Sequence, residues 1–385
     1  MEQIRTVVIG FGGMGRKYAK LIADGQVEGL VLQGICCRNE AGQKLIRELY
    51  PDAVIYADVE QVFQRDADFD AVVIVTPHDT HVEIGRMAFA HGKHVMCDKP
   101  AGISSGEVKR LIEAKRADTA FAMMFNNRTS PAFQEAKGIL DRGGLGRVTR
   151  AVWVCNDWFR SPCYHHSAPW RSSWGGEHGG LLINQCQHYL DLWQWLLGMP
   201  DAVDADIDFG KYNDFAVDDS VDLRFLYRDK PLRGSFISAS GEHPGVNRLE
   251  IWGSCGRLTI SGGKTLTLDR NLVDIDTFNR ENQEIYGQPD HREEVLVEAG
   301  QGDQQNPYVV MLQNFSDHIR KGVPLIAPGE EGLAGIMLAN GAYLSAWTGE
   351  KVKLPLDDAI YEKRLREATE TERLRKMTET ENLRK

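Results

Sequence analysis

Short apolar runs alternate with stretches of helical period through the first third of the chain. Thr6-Val7-Val8-Ile9 is the first run, Met14 to Ala23 the helical stretch behind it, and Leu30–Cys36 the second run. Ala71-Val72-Val73-Ile74-Val75 is apolar without a break, as expected of a strand buried on both faces. His94-Val95-Met96-Cys97 and Ala120–Phe125 follow. Between them Ser104-Ser105-Gly106-Glu107 has capping-box spacing and opens a helix through Lys115. Strands separated by helices predict a parallel sheet wrapped on both sides.

Around Asn126 the pattern changes to a two-residue alternation, with Val221, Leu223, Phe225 and Tyr227 predicted to face one way. Ser235–Ala239, Leu249–Trp252, Arg257–Ile260 and Thr265–Leu268 are further strand candidates, separated by Gly or Pro turns. Strands without intervening helices predict an open, mostly antiparallel sheet in a second, α+β domain. Helical stretches near Tyr308–Arg320 and Glu330–Thr348 come after it. The expected division is 1–125, 126–357 and a charged tail, 358–385. In that tail Thr369–Lys376 nearly recurs as Thr378–Lys385, which reads as a solvated helix or a frayed end.

A formal charge of -10 over 385 residues gives no electrostatic reason to bind nucleic acid or an anionic membrane. No apolar run is long enough to span a bilayer, and the first residues lack the plan of a signal peptide, so the cytoplasm is expected. Seven cysteines, none in a Cys-x-x-Cys pair, read as reduced thiols. His165, His166, His178 and Cys163 have no standard ligand spacing, so no metal is expected.

Gly10-Phe11-Gly12-Gly13-Met14-Gly15 fits G-x-G-x-x-G and sits where the pattern requires, between a predicted strand and a predicted helix. Gly10 allows the tight turn, Gly12 leaves room for a pyrophosphate, and Gly15 lets helix and strand approach; Gly13 and Met14 open the helix. The first domain is therefore expected to be an α/β Rossmann domain that binds a dinucleotide. The acid that usually ends the second strand and takes the ribose hydroxyls of NAD is missing. Cys37 and Arg38 occupy that place. Arg38 suits either a 2′-phosphate or the adenine face, so NAD and NADP both remain open.

Thr76-Pro77-His78-Asp79-Thr80-His81, Gly92-Lys93-His94-Val95-Met96-Cys97-Asp98-Lys99-Pro100 and Gly179–Asp191 together resemble the Gfo/Idh/MocA oxidoreductases, a family that includes glucose–fructose oxidoreductase and inositol dehydrogenase. Gly329-Glu330-Glu331-Gly332-Leu333 is a distal echo, and the resemblance runs to about Leu356. It implies cofactor contacts from Thr76, Pro77, His81, Asp98 and Lys99, and a bound NAD or NADP that can stay with the protein on purification. It also implies a homo-oligomer, a dimer or tetramer. Asp98 stands where the family has Glu, and Asn184 where many members have Asp.

By the same resemblance Lys99 contacts the reacting oxygen and His188 takes its proton as hydride leaves the carbon, which suits a group that titrates near neutrality. The second motif reads as a helix from about Leu181, with Asn184, His188 and Asp191 on one face and Asn184 positioning the substrate. Aromatics mixed with polar groups between Asn156 and Gly176 suit a sugar, so Trp158, Arg160 and His165, with Asn127 and Arg128, join the expected substrate contacts. The expected reaction is hydride transfer at a secondary hydroxyl of a sugar, glycoside or cyclitol, with C3 of a glucoside favoured. Inositol dehydrogenation is the nearest alternative. A glycosidase using transient oxidation, with Tyr164 or His165 as its acid–base pair, and a cofactor-binding regulator are rivals of other classes.

Overall fold

The computed structural model describes residues 3–300 and 305–383, with the backbone alone from 379. Contacts divide the chain into two units. One runs to Thr129 and takes in Gln305–Ile336; the other begins at Ser130 and resumes at Met337.

The first unit holds six parallel strands: β1 (Ile4–Ile9), β2 (Leu30–Cys36), β3 (Val54–Tyr56), β4 (Ala71–Ile74), β5 (His94–Cys97) and β6 (Phe121–Met123). Their order is β3-β2-β1-β4-β5-β6, so the chain reverses its direction of travel between β1 and β4. A ligand crevice forms at such a switch point, outside the carboxyl ends of the strands. All four residues of β4 are fully buried, which explains its unbroken apolar run. Ser104 caps the helix Ser105–Ala114 by accepting from the Glu107 N–H at 3.2 Å, as the capping-box spacing predicts.

Sequence patterning assigns everything from 126 to 357 to the second domain, but Gln305–Ile336 lies with the first unit. The Met123 N–H donates to the Ala327 carbonyl at 3.0 Å, and Pro328 bridges to Ala122 on β6. Gly329 lies against the Phe121 ring, where a Cβ would come within 2.0 Å of it. The distal Gly329–Leu333 motif is thus the seam that closes the edge of the sheet.

Among its described residues the second unit carries nine strands: β7 (Val148–Cys155), β8 (Ala202–Phe209), β9 (Asp218–Leu226), β10 (Arg233–Ala239), β11 (Asn247–Gly253), β12 (Gly256–Ser261), β13 (Thr265–Asn271), β14 (His291–Val297) and β15 (Val352–Lys353). The order is β14-β13-β12-β11-β7-β10-β9-β8-β15, antiparallel throughout except for β7 beside β10. Val221, Leu223, Phe225 and Tyr227 are all buried, as their alternation predicts. The helix Gln187–Leu197 packs on this apolar face: Trp193 meets Phe225 with ring centroids 4.8 Å apart, and Tyr189 meets Trp153 at the same distance.

The described part of the charged tail is helical, as one of its two sequence readings expects, but it is not wholly solvated. It forms a helix, Asp358–Leu383, that buries Tyr361, Leu365 and Glu372. Tyr361 stacks on Trp347 and Trp347 on Tyr343, at 5.9 and 5.7 Å. The first copy of the repeat docks through Thr369, which donates to the Trp174 carbonyl at 3.3 Å, and Glu372, which accepts from the Gly175 N–H at 3.1 Å. The last two residues of the second copy lie outside the described residues.

Candidate functional site

In the first unit, sheet register brings the expected cofactor residues into one row. Ile9 pairs with Cys36 and Ile74, Ile74 with Cys97, and Cys97 with Met123. The residues just beyond these strand ends include Gly10, Cys37 and Asp98, and Thr76 follows one residue later. Gly10 has φ +108°, and a Cβ on it would sit 2.5 Å from the Val75 carbonyl oxygen, so only glycine serves at that turn. Gly12 is the N-cap of the helix Gly13–Ala23 and makes no side-chain cap bond. Above Gly12 and Gly13 a Cβ would meet nothing within 4 Å. An open cradle at a helix N-terminus, lined by backbone N–H groups, fits a diphosphate. Cys37 is buried while Arg38 is exposed beside it.

Asp98 and Lys99 follow β5. One Asp98 oxygen accepts from the Lys99 backbone N–H at 2.8 Å and the other from the Tyr18 hydroxyl at 3.2 Å. Burial pushes the Asp98 carboxyl above its ordinary range, and the charge of Lys99, then that of His81, pulls it back. The Asp98 carboxyl therefore holds the backbone that presents Lys99.

His81, expected from its motif to touch the cofactor, is instead buried, with Nδ1 2.7 Å from the Pro100 carbonyl oxygen and Nε2 2.8 Å from that of Thr76. Its ring ties the loop after β4 to the loop after β5.

Arg128 is likewise not presented to a substrate. It is fully buried in the first unit, bonded to the Ile326 carbonyl at 3.1 Å and paired with Glu331 at 2.5 Å. It ties the short helix Asn126–Thr129 to the returning segment. Asn127 is half-buried in the same helix and accepts from Asn126 at 3.3 Å. Arg128→Met should preserve most of the packing while leaving Glu331 without its buried cation. A loss of about 1–2 kcal/mol in urea unfolding is expected, because Glu331 is partly exposed and can be solvated, with little change in nucleotide affinity at temperatures where the variant is folded.

In the second unit the signature segment departs from its sequence reading. The helix begins at Gln187 rather than Leu181, so Asn184 precedes it in a run of turns and does not share a helical face with His188 and Asp191. Long-range bonds override the local apolar period. The buried Asp218 on β9 accepts from the Gly180 and Leu182 N–H groups and from the Tyr343 hydroxyl, each at 2.7 Å. Burial pushes this carboxyl up, and the Tyr343 hydroxyl and the two backbone donors oppose the shift. His188 is half-buried in the first turn of the helix, and Asp191 is 1% exposed, with Gln194 donating to it at 3.3 Å.

The aromatic insert gathers beside this segment. Trp158 lies on Tyr189, with centroids 5.2 Å apart, and the Arg160 guanidinium lies over the Tyr164 ring at 5.0 Å. The Tyr164 oxygen accepts from Arg171 at 2.9 Å, Gln185 at 3.2 Å and Asn184 at 3.3 Å. His165 is buried against Phe215 and is bonded through Nδ1 to the Ser172 hydroxyl. Burial pushes its pKa down, and the Arg160 backbone opposes the shift. Sequence reasoning missed Glu177, whose buried carboxylate accepts from Asn184 and from the Ser172 N–H. A single glutamate among glycines carries no periodic signal.

Comparison with known proteins agrees with the fold. Residues 4–125 match the family model of the GFO/IDH/MocA oxidoreductases with an NAD-binding Rossmann fold, and residues 133–259 match the GFO/IDH/MocA C-terminal domain. The myo-inositol 2-dehydrogenase of Thermotoga maritima is 24% identical over 91% of this chain and 98% of its own length. Among solved structures, levoglucosan dehydrogenase in complex with NADH and levoglucosan superposes with a TM-score of 0.76 at 20% identity, covering 92% of this chain and all of that one. The WlbA dehydrogenase of Bordetella pertussis, in complex with NADH and UDP-GlcNAcA, does so with a TM-score of 0.75 at 22% identity and the same coverage.

Proposed function

Since the chain belongs to the GFO/IDH/MocA oxidoreductases, we propose that it transfers hydride between a nicotinamide and a secondary hydroxyl of a sugar, glycoside or cyclitol, with C3 of a glucoside the favoured position. One observation carries the reading: the signature segment holds Asn184 beside an insert in which Trp158 lies on Tyr189, the residue next to His188. Such a mixture of ring faces and hydrogen-bonding groups is what a polyol requires.

When bound, the nicotinamide supplies the acceptor for hydride. The chain's own residues do the rest. The N–H groups at Gly12 and Gly13 hold the diphosphate. Lys99, its backbone fixed by Asp98, holds the oxygen whose carbon is oxidised, and the ammonium stabilises negative charge there. His188 takes the hydroxyl proton as the hydride departs, because an alkoxide formed without a base would be too costly near neutrality. Asn184 orients a neighbouring hydroxyl, and Trp158, Arg160 and Tyr164 receive the rest of the substrate. Cys37 and Arg38 stand in place of the carboxylate that usually ends β2, so both nicotinamide cofactors are candidates.

We take the active form to be a homo-oligomer. Membership of the family supports this reading. Light scattering measures this directly.

Glucosides, anhydrosugars, free sugars and inositols, each assayed with NAD and NADP by reduced-nicotinamide absorbance, test the reaction. At least one polyol should give reduced cofactor in proportion to product. Hydrolysis of a glycoside with no net reduction would replace dehydrogenation by an internally cycled reaction. Nucleotide released on denaturing the isolated protein would report a retained cofactor.

A further inference from the structure

We propose that Glu177 is a positioning residue, which sets the atom that Asn184 presents to the substrate. The inference rests on the reading above, in which the signature segment handles the reacting ring, but its geometry stands without it. Glu177 is 2% exposed. One of its oxygens accepts from the Ser172 N–H at 2.7 Å and the other from Asn184 Nδ2 at 2.5 Å. A carboxylate only accepts, so the amide must turn its nitrogen to Glu177 and its oxygen away. Asn184 Nδ2 also reaches the Tyr164 oxygen, at 3.3 Å. That hydroxyl can donate or accept, so it tolerates this orientation and the Glu177 carboxylate is what fixes it. Asn184 therefore acts as an acceptor, suited to the proton of a substrate hydroxyl and not to its lone pair.

The loop that carries Glu177 is built to keep it there. Ser172 and His178 have φ of +52° and +61°, left-handed values that side chains other than glycine seldom adopt. The Glu177 and His178 N–H groups both donate to the Ser173 carbonyl, at 3.0 and 2.9 Å. Arg171 lies 3.7 Å from the carboxylate oxygen that receives Asn184, so the buried charge has a cation nearby.

Glu177→Gln reverses the polarity while keeping the shape. The amide oxygen of the new side chain must face the Ser172 N–H, which directs its nitrogen at residue 184. Asn184 then turns its own oxygen inward to accept, and offers N–H groups to the substrate. Asn184→Asp alone would put two carboxylates side by side, and they would share one proton. Together the two changes restore an acceptor: the carboxylate introduced at position 184 accepts from the amide introduced at position 177 with one oxygen and presents the other.

Thermal melts of apoprotein from pH 5 to 8 test the pairing without any substrate. Sharing raises one carboxyl pKa in folded Asn184→Asp above its unfolded value. The stability from the shared proton is present at low pH and is lost as pH rises through the folded pKa. Asn184→Asp should therefore lose stability across that range relative to the parent protein, whereas Glu177→Gln and the double variant should not. A parent-like profile for Asn184→Asp would overturn the pairing. With any polyol that the parent oxidises, kcat/KM should fall by about tenfold or more in each single variant and recover to within about threefold in the double, at unchanged NADH affinity. A double variant no better than the single ones, with intact melts, would overturn the positioning role. If the melts behave as expected but the parent oxidises no polyol, the functional reading fails and the Glu177–Asn184 pairing stands.

Discussion

His188→Ala should turn over at least ~100-fold more slowly than the parent enzyme while binding NADH with unchanged affinity, the loss expected when a positioned general base is removed. The expectation follows from where the imidazole sits. His188 lies half-buried in the first turn of the helix Gln187–Leu197, in the second unit, while the Gly10–Gly15 turn belongs to the first. Removing the ring leaves the cradle at Gly12 and Gly13 untouched. Tyr189 and Trp193 anchor the helix to Trp153 and Phe225, so the fold should survive the change. Lys99→Met should also suppress turnover, but with a second signature: its side chain follows β5 in the cofactor row, so NADH affinity should weaken as well. Stopped-flow hydride transfer and NADH fluorescence titration separate the two outcomes. Undiminished turnover in His188→Ala would remove it from the chemistry, and a pattern in which only Lys99→Met matters would leave the lysine as the group that manages the proton.

Sequence reading succeeds where structure is locally encoded and fails where a distant residue decides. β2 is legible at both ends because an apolar run is bounded by a turn and by the next helix cap, and the buried face of β9 is legible from its alternation. The signature helix starts too early in the sequence reading because Leu181, Leu182 and Ile183 continue the apolar period upstream. The competing partner, Asp218, is 36 residues from Leu182 and leaves no local trace. Arg128 resembles a binding group for the same reason, since its carboxylate, Glu331, returns only near the end of the first unit. Glu177 escapes notice because a lone acid in a glycine-rich loop ordinarily faces water. The docked face of the tail helix is the one miss that the sequence could have prevented. Tyr361, Leu365 and Glu372 recur at four and seven residues, which places them on one helical face, but the repeated charges draw attention to the solvated side.

The glycine turn separates folding from binding in a way that two single substitutions should expose. Gly12→Ala adds a methyl group where nothing lies within 4 Å, at φ -74°, a value open to any residue. The apoprotein should keep its stability to within about 0.5 kcal/mol, the range of an uneventful surface change. Yet the new methyl stands over the helix N-terminus, where the diphosphate must approach the backbone, so NADH affinity should fall by about 100-fold or more. Gly15→Ala differs. Its Cβ would lie 2.1 Å from the Gly10 carbonyl oxygen and 3.3 Å from Val75, and the first of these is main chain that cannot turn aside. Helix and strand must part to admit it, which should cost about 1–3 kcal/mol or more of stability along with the binding. Urea melts of the apoprotein beside NADH titrations give both quantities for each variant. Equal affinity for NADH in Gly12→Ala and the parent would mean that the diphosphate does not rest on this turn, and the order of strands around β1 and β4 would then mark a fold without its usual ligand.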